Sequence, residues 1–371
     1  MTSRDRASIL VYVGTYTRTG TRAQGKAEGI CVCRMDASTG ALTLAHVVPG
    51  VVNPSFLTLD PRQRYLYAVS EVTETDGQVG GAVSAFAVDR ATGALKYLNR
   101  QSTHGPGPCH LTVDRTGRFV LVANYAGGSV AMLPIHEDGR IGPVSDFVQH
   151  VGSSVDPRRQ QSPHAHSINV DPSNRFALVA DLGLDKVLVY RLDLTAGKLI
   201  PNDEPWAALR PGAGPRHLSF HPTGRYAYVI NELDSTLTGF AYDETRGTLR
   251  EIQTVSTLPE GFAGASHTAD VHVAPSGRFV YGSNRGHDSI VIFAVDPETG
   301  ELTYVGHEST RGEIPRNFAI NPTGAYLLAA NQRSDNIVMF RIDAETGKLT
   351  PTGHVIEVPT PVCVKIVPTA F

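Results

Sequence analysis

One stretch recurs along the chain and limits what it can fold into. Its plainest copy runs Gly214-Pro215-Arg216-His217-Leu218-Ser219-Phe220-His221-Pro222-Thr223-Gly224-Arg225-Tyr226-Ala227-Tyr228-Val229-Ile230-Asn231-Glu232. Arg216 to Phe220 reads as a short strand. Pro222-Thr223-Gly224 reads as a tight turn, because proline fixes φ and glycine accepts positive φ. Tyr226 to Ile230, rich in aromatic and β-branched residues, reads as a second strand. The polar pair Asn231-Glu232 then stands at the end of an apolar run.

Further copies run from Asn53 to Glu71, Pro108 to Tyr125, His164 to Leu182, Ala269 to Arg285 and Pro315 to Gln332. Pro172, Pro222, Pro275 and Pro322 hold the same place in four units, 50, 53 and 47 residues apart. A period near 50 built from strands predicts a propeller-type array. The seventh copy is split. Pro361 to Pro368 supplies a first strand and Ile9 to Tyr16 a second; joined, they complete one blade and remove the exposed edges of an open ring. A second motif gives the same number. Asp36-Ala37-Ser38-Thr39-Gly40-Ala41-Leu42 recurs from Asp89, Asp193, Asp243, Asp296 and Asp343, with a degenerate copy at Glu137-Asp138-Gly139: seven hairpin turns joining the outer strands of a blade. The expectation is an all-β fold: a single seven-bladed β-propeller of four antiparallel strands per blade, closed by pairing of the N- and C-terminal strands. It forms one domain over residues 1–371, with residues 1–8 a mobile polar lead.

Composition narrows the function. A net charge of −3 gives no basic face for nucleic acid or an anionic membrane. No apolar run reaches the ~20 residues a spanning helix needs. The first residues lack the apolar core of a signal peptide. Cys31 and Cys33 lie two apart on one strand, and Cys109 and Cys363 fall in different blades, so the four cysteines of the chain suit a reduced, cytoplasmic setting. Two inserts, Ser153 to Ser162 and Leu258 to His267, each precede a first strand and should share one face of the ring, where binding is commonly built.

The repeat register selects the candidate residues. Five places before each turn anchor lie Ser55, Cys109, His166, Arg216, Ala269, Arg316 and Val362. Eleven places after it lie Glu71, Tyr125, Leu182, Glu232, Arg285 and Gln332, preceded by Ser70, Asn124, Asp181, Asn231, Asn284 and Asn331. Each set should form a ring around the channel, bringing His166, Arg216, Arg316, Glu232, Arg285 and Glu71 together. A ring needed only for packing would hold small or apolar residues, because buried charge is costly. Arginines hold a carboxylate or phosphate bidentately, and a Glu or His moves a proton. Wet channels also hold idle polar residues, and an Asn at a strand end often just makes a turn. His164-Ala165-His166, two apart and expected on one face, with Asp181 near, could bind a metal, but no fixed metal signature supports this. Cys109-His110 could pair nucleophile and base, but strand neighbours point to opposite faces. His104, His150, His272 and His354 read as surface or packing residues.

At these residues the sequence resembles the seven-bladed propeller lactonase family, which includes propeller-type 6-phosphogluconolactonases and 3-carboxy-cis,cis-muconate cyclases. The likeness covers essentially the whole chain. It is carried by Val13-Gly14-Thr15-Tyr16-Thr17, Pro163-His164-Ala165-His166, Gly214-Pro215-Arg216-His217, Asn231-Glu232-Leu233, Ser283-Asn284-Arg285-Gly286 and Ile314-Pro315-Arg316-Asn317. The resemblance implies a cytoplasmic, metal- and cofactor-independent enzyme. Its cyclase members imply a site of one His, one Glu and two Arg, mapping here onto His164 or His166, Glu232, Arg216 and Arg285. The expected activity is hydrolysis of a sugar-acid lactone, foremost 6-phosphogluconolactone. His164, His166, Glu232 and Arg216 are then catalytic, and Arg285, Arg316, Glu71, His110, Asn124 and Asp181 contact substrate. A carboxymuconate-type cycloisomerase makes the same demand on these side chains. A non-enzymatic scaffold is the alternative from another class, but the chain has one Trp and no Gly-His…Trp-Asp signature. The expected partner is a small anionic lactone, with no nucleic acid or membrane, bound by a monomer or weak homo-oligomer.

Overall fold

The computed structural model describes residues 8–18, 24–75 and 77–367. The expected mobile lead therefore lies outside the described residues, except Ser8, which opens the strand Ser8–Thr15. Among the described residues there is no helix, and hence none able to cross a membrane. Seven four-stranded antiparallel sheets form a ring. The innermost strands are Leu57–Leu59, Pro108–Val113, Ala165–Val170, Pro215–Phe220, His267–Val273, Pro315–Ile320 and Pro361–Ile366. The last belongs to the split blade and pairs with Ser8–Thr15, with Val13 opposite Val364. A small extra hairpin pairs Glu74–Thr75 with Gln78–Val79, and Asp76 between them lies outside the described residues.

The turn residues act as the sequence requires. Asp114 Oδ1 accepts the backbone N–H groups of Arg118 and Phe119, and Asp171 Oδ1 those of Arg175 and Phe176. The outer turns repeat one device: Asp36, Asp89, Asp193, Asp243, Asp296 and Asp343 each accept two backbone N–H groups through Oδ1. These are Asx turns, in which the side chain stands in for a backbone acceptor. A tie between blades was not legible beforehand. Buried tyrosines of the second strands donate to glycine carbonyls in the next blade's outer turn: Tyr12 to Gly93, Tyr67 to Gly139, Tyr228 to Gly300 and Tyr281 to Gly347, at 2.8–3.2 Å. The apolar cores lie between neighbouring sheets, as where Leu178 and Val187 of one meet Ala227 and Phe240 of the next.

One irregularity decides what faces the channel. The pairing of inner and second strands slips at Pro108/His110, Ala165/Ser167, Pro215/His217, Thr268/Val271 and Pro315/Asn317. A bulge of this kind sets two residues against one and breaks strict alternation. Two consecutive residues of each strand therefore serve the channel. Arg216 and His217 are in mutual contact there, and the rings of His110, His166 and His217 meet edge to face at 5.4 and 5.5 Å.

Candidate active site

A cavity of about 540 Å³ opens at one end of the channel. Its walls come from the ends of second strands, which bring Glu71, Tyr125, Glu232, Arg285 and Gln332, and from the starts of first strands and the loops before them. The residue before the opening proline of a first strand has positive φ throughout this rim. The repeat holds Gly107 and Gly214 there, both at 66°. Asn53, Ile314 and Thr360 take the same position at 45°, 60° and 41°, a conformation Asn tolerates but one that carries a backbone cost for the β-branched Ile314 and Thr360.

Glu232 is the centre of the cavity's charge. Its Oε2 lies 3.1 Å from Arg216 Nε, 3.0 Å from Arg285 Nη2 and 3.8 Å from His166 Nε2. Its Oε1 accepts from Arg159 Nη2 at 2.7 Å. Burial alone would raise its pKa, but the charges of Arg285 and Arg216, with Arg159, outweigh it and hold the carboxyl well below the ordinary range. Glu232 is thus a fixed negative charge and a weak base. His166 is the converse. Burial, with the charge of Arg216, pushes its pKa well below 6.5, leaving a neutral imidazole with a free lone pair near pH 7. Its other ring nitrogen lies 3.7 Å from the Cys109 thiol, whose pKa burial raises, so Cys109 is no nucleophile at neutral pH.

A second pole surrounds Arg316. Its guanidinium lies over the Tyr16 ring at 5.7 Å and meets no carboxylate at ion-pair distance among the described residues. Tyr16 donates to Glu71 Oε2 at 3.0 Å. Lys26 and Arg333 stand at the rim, paired outward with Asp335 and Glu313. Of the charged side chains lining the cavity, Lys26, Arg159, Arg285, Arg316 and Arg333 are basic and only Glu71 and Glu232 acidic. A chain of slightly negative net charge therefore concentrates positive charge at one mouth.

The expected residues divide accordingly. His166, Glu232, Arg285, Arg316 and Glu71 line the cavity together. Arg216 lies beneath them, 2% exposed, with Nη1 on the Ala269 carbonyl. His164 falls outside: the bulge turns it away from His166, so it stacks on Tyr125 at 4.6 Å and reaches the Tyr125 carbonyl. Asp181 is also outside the cavity, tied to the His164 and Gly183 N–H groups and to His150 Nδ1 at 2.6 Å. Of the surface or packing roles expected for His150, the packing one holds: it is buried and stacked on Tyr190. His272 likewise bonds Asp270 at 3.0 Å. Asn124 spans its own blade to Ser129. His110 packs on Phe56 in the layer below, with centroids 4.2 Å apart. No group of His, Cys, Asp and Glu suited to a metal occurs among the described residues, so the His164, His166 and Asp181 set is not assembled. Arg159 was missed as a site residue, because it sits on the Ser153–Ser162 insert, outside the repeat register. The length and charge of that insert were the available signal.

The family model described as "Lactonase, 7-bladed beta-propeller" matches residues 10–366. A 6-phosphogluconolactonase of Bacillus subtilis (strain 168) is 40% identical over 355 residues, covering 95% of this chain and 97% of that protein. Another of that name from Formosa agariphila is 38% identical over 316 residues, 84% of this chain and 86% of its own. The structure of a periplasmic gluconolactonase from Pseudomonas aeruginosa superposes with a TM-score of 0.90 at 36% identity, covering 97% of this chain and 99% of that one.

Proposed function

The chain belongs to the seven-bladed β-propeller lactonase family, and on that footing we propose that it is a carboxylic ester hydrolase opening 6-phosphoglucono-δ-lactone to 6-phosphogluconate. The observation that carries this reading is the polarity of the cavity: a neutral imidazole beside a caged carboxylate at one pole, and at the other an arginine that meets no carboxylate at ion-pair distance among the described residues. Arg316 suits the phosphate, assisted by the rim of Arg333 and Lys26. His166 takes a proton from water as the water oxygen attacks the lactone carbonyl carbon. Glu232, 3.8 Å away, stabilises the imidazolium that results. Arg285 and Arg159, both lining the cavity, are the donors for the oxyanion. Collapse of the tetrahedral intermediate breaks the bond to the ring oxygen, and His166 returns the proton to that oxygen.

The names of the relatives favour hydrolysis over cyclisation of a muconate. The test is a turnover screen with 6-phosphoglucono-δ-lactone, glucono-δ-lactone and a carboxymuconate. Preference for the phosphorylated lactone supports the assignment, and turnover of the muconate alone would overturn it. We further place the enzyme in the cytoplasm, without nucleic-acid or membrane partners, as a monomer or weak homo-oligomer. The four cysteines are buried free thiols, which suit a reducing compartment, and a phosphorylated substrate does not cross a membrane unaided. Cell fractionation and light scattering check both points.

A further inference from the structure

Beneath the cavity floor lies a polar chain that the proposed chemistry does not use directly. Arg216 Nη1 is 3.1 Å from His217 Nε2. A guanidinium only donates, so Nε2 accepts and the ring proton sits on Nδ1. That proton points at Asp270 Oδ1, 2.7 Å away. Asp270 is itself fixed: its Oδ2 accepts from Asn317 Nδ2 and contacts His272 Nε2, and its Oδ1 accepts the Val271 N–H. The groups around His217 are therefore Arg216, Asp270, His110, His166 and Phe56. Burial and the Arg216 charge lower its pKa to about 4, so it stays neutral near pH 7.

We propose that His217, oriented by Asp270, is a positioning residue for lactone hydrolysis: it holds the Arg216 guanidinium under Glu232 and supports the ring of His166. This rests on the lactonase reading above. The reason is geometric. Arg216 is almost fully buried and reaches Glu232 through Nε, so its aim depends on what Nη1 meets at its other end, which is the Ala269 carbonyl and His217 Nε2. The Nδ1–H tautomer presents a lone pair to Nη1. The other tautomer would present N–H to N–H, leaving Nη1 with the Ala269 carbonyl as its acceptor and pushing the guanidinium off its aim at Glu232. Asp270 selects the first form by accepting the Nδ1 proton, the way a buried carboxylate orients a histidine at many sites.

The test compares wild type with His217→Phe and His217→Gln on 6-phosphoglucono-δ-lactone. Phe keeps the ring's bulk and loses the acceptor. Gln can offer its side-chain oxygen where Nε2 was. Loss of an acceptor to a charged donor predicts kcat lower by about 10–10²-fold in the Phe variant, with KM within about threefold. The Gln variant should recover most of that loss. Equal kcat in the Phe variant, or equal losses in both, overturns the proposal. If the Phe variant does not fold, the tautomer decides: two-bond proton–nitrogen spectra of wild type should show His217 protonated on Nδ1 from pH 6 to 8, and an Nε2–H form overturns the proposal. Wild type inactive on every lactone would instead overturn the functional reading, because the tautomer is read without turnover.

Discussion

Glu232→Gln removes one charge from the centre of the cavity while keeping the side chain's shape. The carboxylate sits 3.8 Å from the imidazole that is to become positive. At an effective dielectric near 20, that separation is worth roughly 4 kcal/mol to the imidazolium, or about 10³-fold in rate. The Gln carbonyl dipole keeps part of this. The expected loss in kcat is therefore about 10²–10³-fold, within the range of general acid–base groups. Ground-state binding should not suffer, because an anionic substrate would enter a more positive cavity; KM should stay level or fall. Stability should drop, since Arg216 and Arg285 lose a counter-charge in a buried place, a change that typically costs about 3–5 kcal/mol. The assay is steady-state hydrolysis of fresh 6-phosphoglucono-δ-lactone, corrected for the uncatalysed rate, well below the variant's melting temperature and with circular dichroism to verify the fold. A folded variant that keeps kcat within about threefold of wild type would refute the argument, because His166 would then work without its anion.

The same charges set the pH behaviour. The base must be unprotonated, and His166 is held well below 6.5, so kcat/KM should stay level as pH falls past 6.5; an acid limb centred at 6.5 or above would contradict this. Stability should decline as pH falls from 6.5 toward about 4, because His110, His166 and His217 resist protonation when folded and the unfolded chain binds more protons in that window; a melting temperature constant across it would count against the buried neutral histidines. Arg316→Ala should raise KM for the phosphorylated lactone at least about tenfold and change glucono-δ-lactone far less; equal effects on both would move the phosphate elsewhere. Deleting residues 361–371 removes the inner strand of the split blade, with Val362, Cys363 and Val364 all buried; the product should aggregate or lose its cooperative melt, and a soluble monomer with unchanged melting would argue against closure by this pairing.

The local order of residues was enough to give seven blades. Each turn is built by its own side chains, an Asp accepting backbone N–H groups or a Gly at positive φ, so the motif announces the turn wherever it stands. Repetition then places equivalent residues at equal distances from one axis, which is why Glu71, His166, Glu232, Arg285 and Arg316 could be grouped before any coordinates. The sequence could not distinguish His164 from His166, or show that Arg216 and His217 both serve the channel. Alternation with a period of two is what a regular strand obeys, and the bulges at the start of the inner strands break it. Nothing in the residue types at those positions announces the slip; it exists only as a pairing between two strands. Arg159 escaped for a different reason. It lies on an insert with no register, and only the folded ring brings it 2.7 Å from a carboxylate 73 residues away in the chain.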